Sequence, residues 1–234
     1  MENILEIADL SVYYHDGTQA LRELNLTLPA GQRVGLLGPN GAGKTSLMLA
    51  VMNGIHFHGS IRVDGVELTR RSAAEVISRC GMTFQDSNDQ LFMPTLLDDV
   101  AFGPLNQGLS PQEAQQQARV AIAAVGLAGL ETRCAHHLSG GQARCAALAT
   151  VLSMRVKLLM LDEPTANLDF RSRHRLLEIL AGRRESMVLA THDLEVVRAL
   201  CTHVAVLEAG RLAAYGSAEE ILSDKPLLHR YGLA

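Results

Sequence analysis

Short apolar runs separated by turn residues dominate the first part of the chain, and this pattern is typical of β-strands. The predicted strands cover residues 4–7, 10–14, 21–28 and 33–37. Apolar residues in segment 46–52 recur as in a helix, so we expect a helix there. Segment 60–66 contains the pair Asp64-Gly65, which predicts a β-hairpin turn.

Residues 110–113 have the sequence of a helix start. Ser110 suits the N-cap, Pro111 suits the first helical position, and Glu113 can complete a capping box. Gly126 is a suitable stop for this helix.

Two later apolar runs, at 156–161 and 187–190, show no alternation with polar residues, which is typical of parallel strands covered on both faces. Strands that alternate with helices indicate an α/β core. No clear strand pattern occurs at approximately 92–155. We therefore predict one domain over residues 1–234, with an antiparallel β subdomain at the amino terminus and an inserted α-helical subdomain at approximately 92–155.

The composition is that of an ordinary globular protein, with 47% hydrophobic and 20% charged residues. A net charge of −4 and 4% aromatic residues, with no tryptophan, give no reason to expect nucleic acid as a partner. The four cysteines form no CxxC pair, which favours free thiols over a zinc site. No apolar run approaches the roughly 20 residues that span a bilayer, so we expect no direct membrane insertion.

Segment 38–45 matches the phosphate-binding pattern GxxxxGK(S/T), between a predicted strand and a predicted helix. Backbone N–H groups of such a loop converge on phosphate oxygens, Lys44 adds a positive charge, and the Thr45 hydroxyl can bind Mg²⁺. The predicted nucleotide-binding residues here are Gly38, Pro39, Asn40, Gly41, Ala42, Gly43, Lys44, Thr45 and Ser46.

Asp162 and Glu163 follow the apolar run 156–161, at the sheet edge where α/β proteins bind ligands. We expect Asp162 to hold Mg²⁺ through water. A carboxylate at Glu163 can orient or deprotonate the water that attacks the γ-phosphate. The alternative is that Glu163 only caps the next turn, and the phosphate loop favours hydrolysis over that alternative.

Three more side chains are candidates for the same site. His192 follows run 187–190 and can donate to the γ-phosphate or to the attacking water, although a histidine before a helix is often structural. Gln85 ends a strand-like run, and its amide can contact Mg²⁺ or water; a surface glutamine is the alternative. Tyr13 or Tyr14 can stack on adenine or pack on the core, and Tyr14 is favoured because it adjoins a turn.

Several motifs occur in an order that resembles the ATP-binding cassette ATPases. They are the phosphate loop, LSGGQ at 138–142, LLMLDEP at 158–164, ANLD at 166–169 and ATHD at 190–193. The resemblance covers nearly the whole chain and implies a P-loop NTPase (RecA-like) core that hydrolyses ATP with Mg²⁺. It also implies that Gln85 is the Q-loop glutamine, that 166–169 is the D-loop and that His192 is the switch histidine.

The LSGGQ segment is a second glycine turn. The resemblance implies that it caps the γ-phosphate bound to the other subunit of a head-to-tail dimer. Ser139 can donate a hydrogen bond, and Gly140 and Gly141 expose N–H groups at the start of a helix. We therefore expect Ser139, Gly140, Gly141 and Gln142 to bind ATP across a dimer of two copies of the chain.

Segment 84–110 looks particularly like the cobalt- and nickel-transport ATPases and the related energy-coupling-factor ATPases. This resemblance implies a peripheral motor at the cytoplasmic face of the cell (inner) membrane, joined to integral membrane subunits near Gln90, Leu91 and Phe92. We expect nickel or cobalt ions as cargo. A vitamin importer or another ABC transporter is the alternative. A non-transport ATPase of DNA repair or translation is disfavoured, because the chain has no long coiled-coil insertion.

Cys145 departs from the family pattern, in which an arginine is typical at this position. Arg144 is the nearest cation, and it lies on a different face of the predicted helix. From the sequence we expect Cys145→Arg to leave ATPase activity unchanged or to raise it.

Overall fold

The computed structural model describes residues 2–233. The strands are β1 (Asn3–Tyr13), β2 (Gln19–Pro29), β3 (Arg33–Leu37), β4 (Phe57–Val63), β5 (Val66–Glu67), β6 (Cys80–Thr83), β7 (Leu158–Asp162), β8 (Ser186–Ala190), β9 (His203–Glu208) and β10 (Arg211–Ser217). The helices are α1 (Lys44–Val51), α2 (Ala73–Ser78), α3 (Leu96–Asn106), α4 (Pro111–Ala124), α5 (Gly140–Leu152), α6 (Phe170–Ala181), α7 (Leu194–Leu200), α8 (Ala218–Ser223) and α9 (Lys225–Arg230). The chain divides into two compact units.

The first unit consists of the chain up to Cys80, residues 157–161 and the chain from Arg184 onwards. It contains an antiparallel sheet with the order β2-β1-β4-β5. In its other sheet the strands follow the order β10-β9-β3-β8-β7, and β3 runs parallel to both β8 and β9. This mixed α/β architecture, with an antiparallel sheet formed by the amino-terminal strands, is the predicted one.

Strand β3 lies between two parallel neighbours, which explains why its sequence shows no alternation. Val34, Leu36 and Leu37 are completely buried, as expected for a parallel strand that is covered on both faces. Strand β8 is buried along its whole length for the same reason. The carboxyl end of β3 is therefore held rigidly where the chain enters the glycine loop.

The amino-terminal strands differ from the prediction in one respect. Two separate strands were expected at 4–7 and 10–14, but β1 is continuous and its register with β2 shifts between Ile7 and Leu10. Asp9 adopts a left-handed conformation, with a φ of 50°, and exchanges hydrogen bonds with the Asn25 side chain. The apolar pattern breaks at this bulge, and the strand pairing resumes after it. The hairpin turn at Asp64 and Gly65 is confirmed, with positive φ at both residues.

The second unit consists of residues 81–156 and 162–183 and is mainly helical. Helix α4 begins with the predicted capping box, because the Glu113 N–H donates to Ser110 Oγ and the Ser110 N–H donates to Glu113 Oε2. The helix ends at Ala124, close to the predicted stop at Gly126. Helices α3, α4 and α5 pack on one another. The single-domain assignment over residues 1–234 and the subdomain limits at 92–155 stay predictions.

Within residues 2–233, no helix combines the length and the apolar character that a bilayer crossing requires.

Candidate functional site

The glycine loop between β3 and α1 is tightly enclosed by backbone of the first unit. At Gly38, a Cβ atom would collide with the carbonyl oxygen of Leu207. At Gly43, where φ is +104°, a Cβ atom would lie 2.8 Å from the carbonyl oxygen of Ala20. Larger residues are therefore excluded at both positions, and glycine allows the loop to pack closely against this backbone.

Helix α1 begins without a side-chain cap. Its N-cap residue is Gly43, which has no side chain that could accept a hydrogen bond from the first N–H groups of the helix. Lys44 folds back over the loop, and its Nζ donates to the carbonyl oxygens of Gly38 and Pro39 at 2.6 and 3.0 Å. An uncapped helix start with an ammonium group beside it is suited to bind an anion such as a phosphate.

Tyr14 is brought to this helix, and Tyr13 is directed elsewhere. The Tyr14 hydroxyl lies 2.8 Å from Ser46 Oγ, and the ring remains 41% exposed. Tyr13 instead accepts a hydrogen bond from Gln19 and packs edge-on to His58. Of the two tyrosines, Tyr14 is thus the one held beside the phosphate loop.

His192 lies at the same edge of the sheet as the loop. Leu36 of β3 pairs with Ala190 of β8 in parallel register, and His192 follows Ala190 by two residues. The strand that precedes His192 therefore neighbours the strand that leads into the phosphate loop. Thr191 is completely buried before His192, and Asp193 caps α7 directly after it. The backbone of His192 is consequently fixed on both sides.

In the second unit, Asp162 is 2% exposed at the end of β7, and Glu163 is only partly buried. Glu163 has a φ of 46° and Asn167 in the D-loop has a φ of 61°, values that are uncommon for residues other than glycine. Such conformations cost energy and tend to occur at functional sites. The segment from Glu163 to Asn167 is therefore held in a defined and slightly strained shape.

Gln85 is exposed and follows Phe84, whose carbonyl oxygen accepts a hydrogen bond from Arg144 Nη1 at 3.3 Å. Arg144 is only 8% exposed, and this burial lowers the pKa of its guanidinium. The carboxylates of Asp162 and Asp86 act in the opposite direction, since they favour the charged form. This role of Arg144 was not predicted, although a cation among the alanines of α5 is a usable signal.

The LSGGQ segment forms a capping box at the start of α5. The Gln142 N–H donates to Ser139 Oγ at 3.3 Å, and the Ser139 N–H donates to Gln142 Oε1 at 2.9 Å. Because Ser139 Oγ only accepts in this cap, its proton can be donated elsewhere. A Cβ atom would meet nothing within 4 Å at Gly140, and the nearest atom to one at Gly141 is Leu168 Cδ2. The glycines thus leave the helix start open.

The loop before α3 presents an aromatic side chain to the surface. Phe92 is 65% exposed and packs edge-on to Phe102, with 5.2 Å between ring centroids. The buried carboxyl group of Asp99 holds the loop, since its Oδ1 accepts from the Phe92 and Met93 N–H groups, each at 2.9 Å. The sequence did not single out Asp99.

Gln90 and Leu91 have structural roles in the same loop. Leu91 is buried. Gln90 accepts from the Phe84 N–H and donates to Ala147 and Thr150 of α5. Of the three residues expected near a docking groove, Phe92 is the one that is exposed.

Comparison with known proteins adds family information to this geometry. A family model described as ABC transporter matches residues 21–166. The cobalt import ATP-binding protein CbiO of Rhodobacter capsulatus is 39% identical, over 100% of this chain and 85% of that protein. The energy-coupling factor transporter ATP-binding protein EcfA of Methanothermobacter thermautotrophicus is 39% identical, over 98% and 76%. The solved structure of cbiO1 from Clostridium perfringens, part of the complex cbiONQ, has a TM-score of 0.82 and 31% identity, over 100% and 96%.

Proposed function

Because the chain belongs to the ABC transporter family, we propose that it is the ATP-hydrolysing motor subunit of an energy-coupling-factor-type importer for nickel or cobalt ions. The observation that carries the ATP-binding part is the uncapped start of α1, with the Lys44 ammonium group folded over the glycine loop. The importer type is supported by the similarity to CbiO and EcfA over almost the whole chain.

The residues of the phosphate loop fit an ATP phosphate chain. Backbone N–H groups at the start of α1 and the Lys44 ammonium supply positive charge, and the glycines at positions 38 and 43 let the loop pack closely against neighbouring backbone. The Tyr14 ring, tethered to Ser46, provides a face for adenine stacking. We assign ATP binding to these residues and to the rest of the segment 38–46.

Mg²⁺ supplies charge neutralisation at the phosphates when it is bound, and the oxygen donors of Thr45, Gln85 and Asp162 suit this cation. Glu163 orients the attacking water and accepts its proton, because a carboxylate can hold a water molecule by a hydrogen bond and act as its general base. His192 donates a hydrogen bond to the γ-phosphate. The products are ADP and phosphate.

The Ser139–Gln142 segment completes the site of a second copy. Its hydroxyl proton and open helix start suit the γ-phosphate of an ATP molecule bound to the partner chain. ATP that contacts both chains stabilises the dimer by linkage, and hydrolysis removes the shared γ-phosphate. The proposed motor is therefore a homodimer that closes with ATP and opens after hydrolysis.

We place the contact with integral membrane subunits at three exposed apolar side chains, those of Phe92, Phe102 and Leu105. These side chains are 65, 41 and 42% exposed, and exposed aromatic residues are typical anchors of protein interfaces. The chain is then a peripheral subunit at the cytoplasmic face of the cell membrane.

The cargo rests on the relatives alone, because an ATPase subunit does not itself contact the transported substrate. CbiO is named for cobalt import, and nickel is retained because it resembles cobalt in ligand preference. A vitamin importer of the energy-coupling-factor type is the second candidate, and the similarity to EcfA is the observation that favours it.

The test is transport by the complete complex. Membrane subunits that co-purify with the chain are reconstituted with it in vesicles, and uptake of cobalt, nickel and biotin is measured with ATP. We expect metal uptake that is lost with Lys44→Ala in the same complex. Uptake of the vitamin without either metal would contradict the proposed cargo, and equal uptake with Lys44→Ala would contradict the motor function.

A further inference from the structure

Arg175 of α6 extends into a cleft of about 250 Å³ that lies within the second unit. The cleft is lined by Ser139, Gly141, Gln142, Cys145, Asp169 and Arg175, among others. Residues of the LSGGQ helix start and of the D-loop thus line the same cleft as Arg175, a cation that has no role in the proposed function.

The guanidinium of Arg175 lies against the end of α4. A Cβ atom at Gly126 would fall on Nη1 of Arg175 and would be 2.7 Å from its Cζ. Helix α4 ends with the Gly126 N–H donating to Ala123, and it has no basic residue in its last turn. A cation at this end balances the partial negative charge of the helix carboxyl terminus. Arg175 supplies that cation from a different helix.

The same charge acts on α5. Burial raises the pKa of the Cys145 thiol, and the positive charge of Arg175 acts in the opposite direction. Cys145 is 7% exposed in the second turn of the LSGGQ helix and carries no charge of its own at neutral pH. Arg175 is therefore the cation that faces this side of α5, while Arg144 faces Phe84.

The end of the D-loop, at Asp169, also lines the cleft. Asp169 caps α6, since its Oδ1 accepts from the Ser172 N–H and its Oδ2 lies 2.9 Å from Ser172 Oγ. Leu168 is the side chain nearest to Gly141. A cation between the end of α4, the Asp169 cap and α5 can hold the three elements in one arrangement, because a guanidinium is planar and weakly hydrated.

We propose that Arg175 is a positioning residue: it fixes the start of α5 against the D-loop, so that Ser139 and Gly141 meet the ATP of the partner chain. The inference rests on the proposed dimer function. It also reverses the expectation for Cys145→Arg, because a second guanidinium would enter a cleft that already holds one. The two cations would repel each other and displace the helix start.

The first test compares ATP-driven dimerisation, measured in the Glu163→Gln background. Arg175→Met keeps the apolar stem and removes the charge. We expect it to weaken dimerisation about tenfold, a coupling usual for residues in contact, and to leave ATP affinity of the monomer within about twofold. Cys145→Arg alone weakens dimerisation, whereas the double variant recovers to within about threefold of the parent. The matched control is Arg171→Ala, an exposed cation on the same helix, which should have no effect.

Unchanged dimerisation of Arg175→Met overturns the inference. The inference is also overturned if the double variant dimerises no better than Arg175→Met alone, because the guanidinium introduced by Cys145→Arg would then fail to replace that of Arg175. A merely structural defect would lower the unfolding free energy of the double variant as well and would not be reversed by a second substitution in the cleft.

The second test distinguishes this inference from the proposed function. Lys44→Ala chains, which keep their LSGGQ segment, are mixed with Arg175→Met chains, and ATPase activity is compared with the sum of the separate activities. We expect a several-fold excess, because one site of the mixed dimer is intact. The reference mixture uses Ser139→Ala in place of Arg175→Met. If only the reference gains activity, the inference is overturned; if neither mixture gains, the shared-site dimer and the inference with it are both wrong.

Discussion

Gln142 has two roles that one substitution can separate. Its Oε1 accepts the Ser139 N–H at 2.9 Å and closes the cap of α5. Glutamate serves as well as glutamine at this position of a capping box. Gln142→Glu therefore keeps the cap and adds a negative charge beside the loop proposed to bind the γ-phosphate of the partner chain.

Gln142→Glu is expected to raise the stability of the fold and to lower the affinity of the dimer. A carboxylate in the first turn of a helix stabilises the fold by about 0.3–1 kcal/mol, whereas Gln142→Ala loses a capping hydrogen bond and about 0.5–2 kcal/mol. For binding, the Gln142 side chain lies within about one helical turn, 5.4 Å, of an anion at Ser139. Two unit charges at this separation repel by about 3 kcal/mol at an effective dielectric constant of 20, which corresponds to about 100-fold weaker association.

The assay measures both quantities on the same proteins. Urea denaturation without nucleotide gives the free energy of unfolding, and light scattering with ATP in the Glu163→Gln background gives the dimer affinity. We expect Gln142→Glu to be as stable as the parent or more stable, but to dimerise far more weakly than Gln142→Ala. If Gln142→Glu dimerised like the parent, the loop would not face an anion and the reasoning would be refuted.

The remaining predictions concern three other positions. Burial raises the pKa of the Asp99 carboxyl, so folding favours its protonated form and its contribution to stability falls as the pH rises through that raised pKa. Asp99→Asn keeps an oxygen acceptor for the loop, and in urea denaturation it should match or exceed the parent at neutral pH, with less loss of stability as the pH rises above the ordinary aspartate pKa of about 4; a less stable variant at neutral pH would contradict this. Tyr14→Phe keeps the ring and should retain ATP affinity in a fluorescence titration, whereas Tyr14→Ala should lose stacking of about 1–3 kcal/mol; equal affinities would exclude adenine stacking. Phe92→Ala should lower stimulation of ATPase activity by the membrane subunits far more than basal activity, and full stimulation would place docking elsewhere.

Local sequence signals predicted much of the fold because the interactions behind them are local. Ser110 and Glu113 meet within one helical turn, and the capping box they predict is present. The uninterrupted apolar run at 187–190 predicted a parallel strand covered on both faces, and β8 is such a strand. The bulge at Asp9 was missed, since it depends on hydrogen bonds with Asn25 on the next strand.

The residues of the candidate site likewise fall into those that a local pattern predicted and those that it did not. The phosphate loop lies within one strand–loop–helix unit, so its pattern was sufficient to locate it. The roles of Arg144 and Arg175 were not found, because each acts on a group distant in the sequence: the carbonyl of Phe84 and the end of α4. Asp99 was missed because its contact with the Phe92 N–H depends on the path of the loop between them. No spacing rule identifies such contacts before the helices are packed.

The central claim, that this chain hydrolyses ATP in a shared-site dimer, is tested most directly by Glu163→Gln. The substitution preserves the shape of the side chain and removes the base, so turnover should fall by about 100-fold or more. An ATP-dependent dimer should then accumulate, because the shared γ-phosphate is not removed. Lys44→Ala is the control, and it should abolish both ATP binding and dimerisation. Turnover of Glu163→Gln at the rate of the unaltered chain, or no dimer at saturating ATP, would contradict the account.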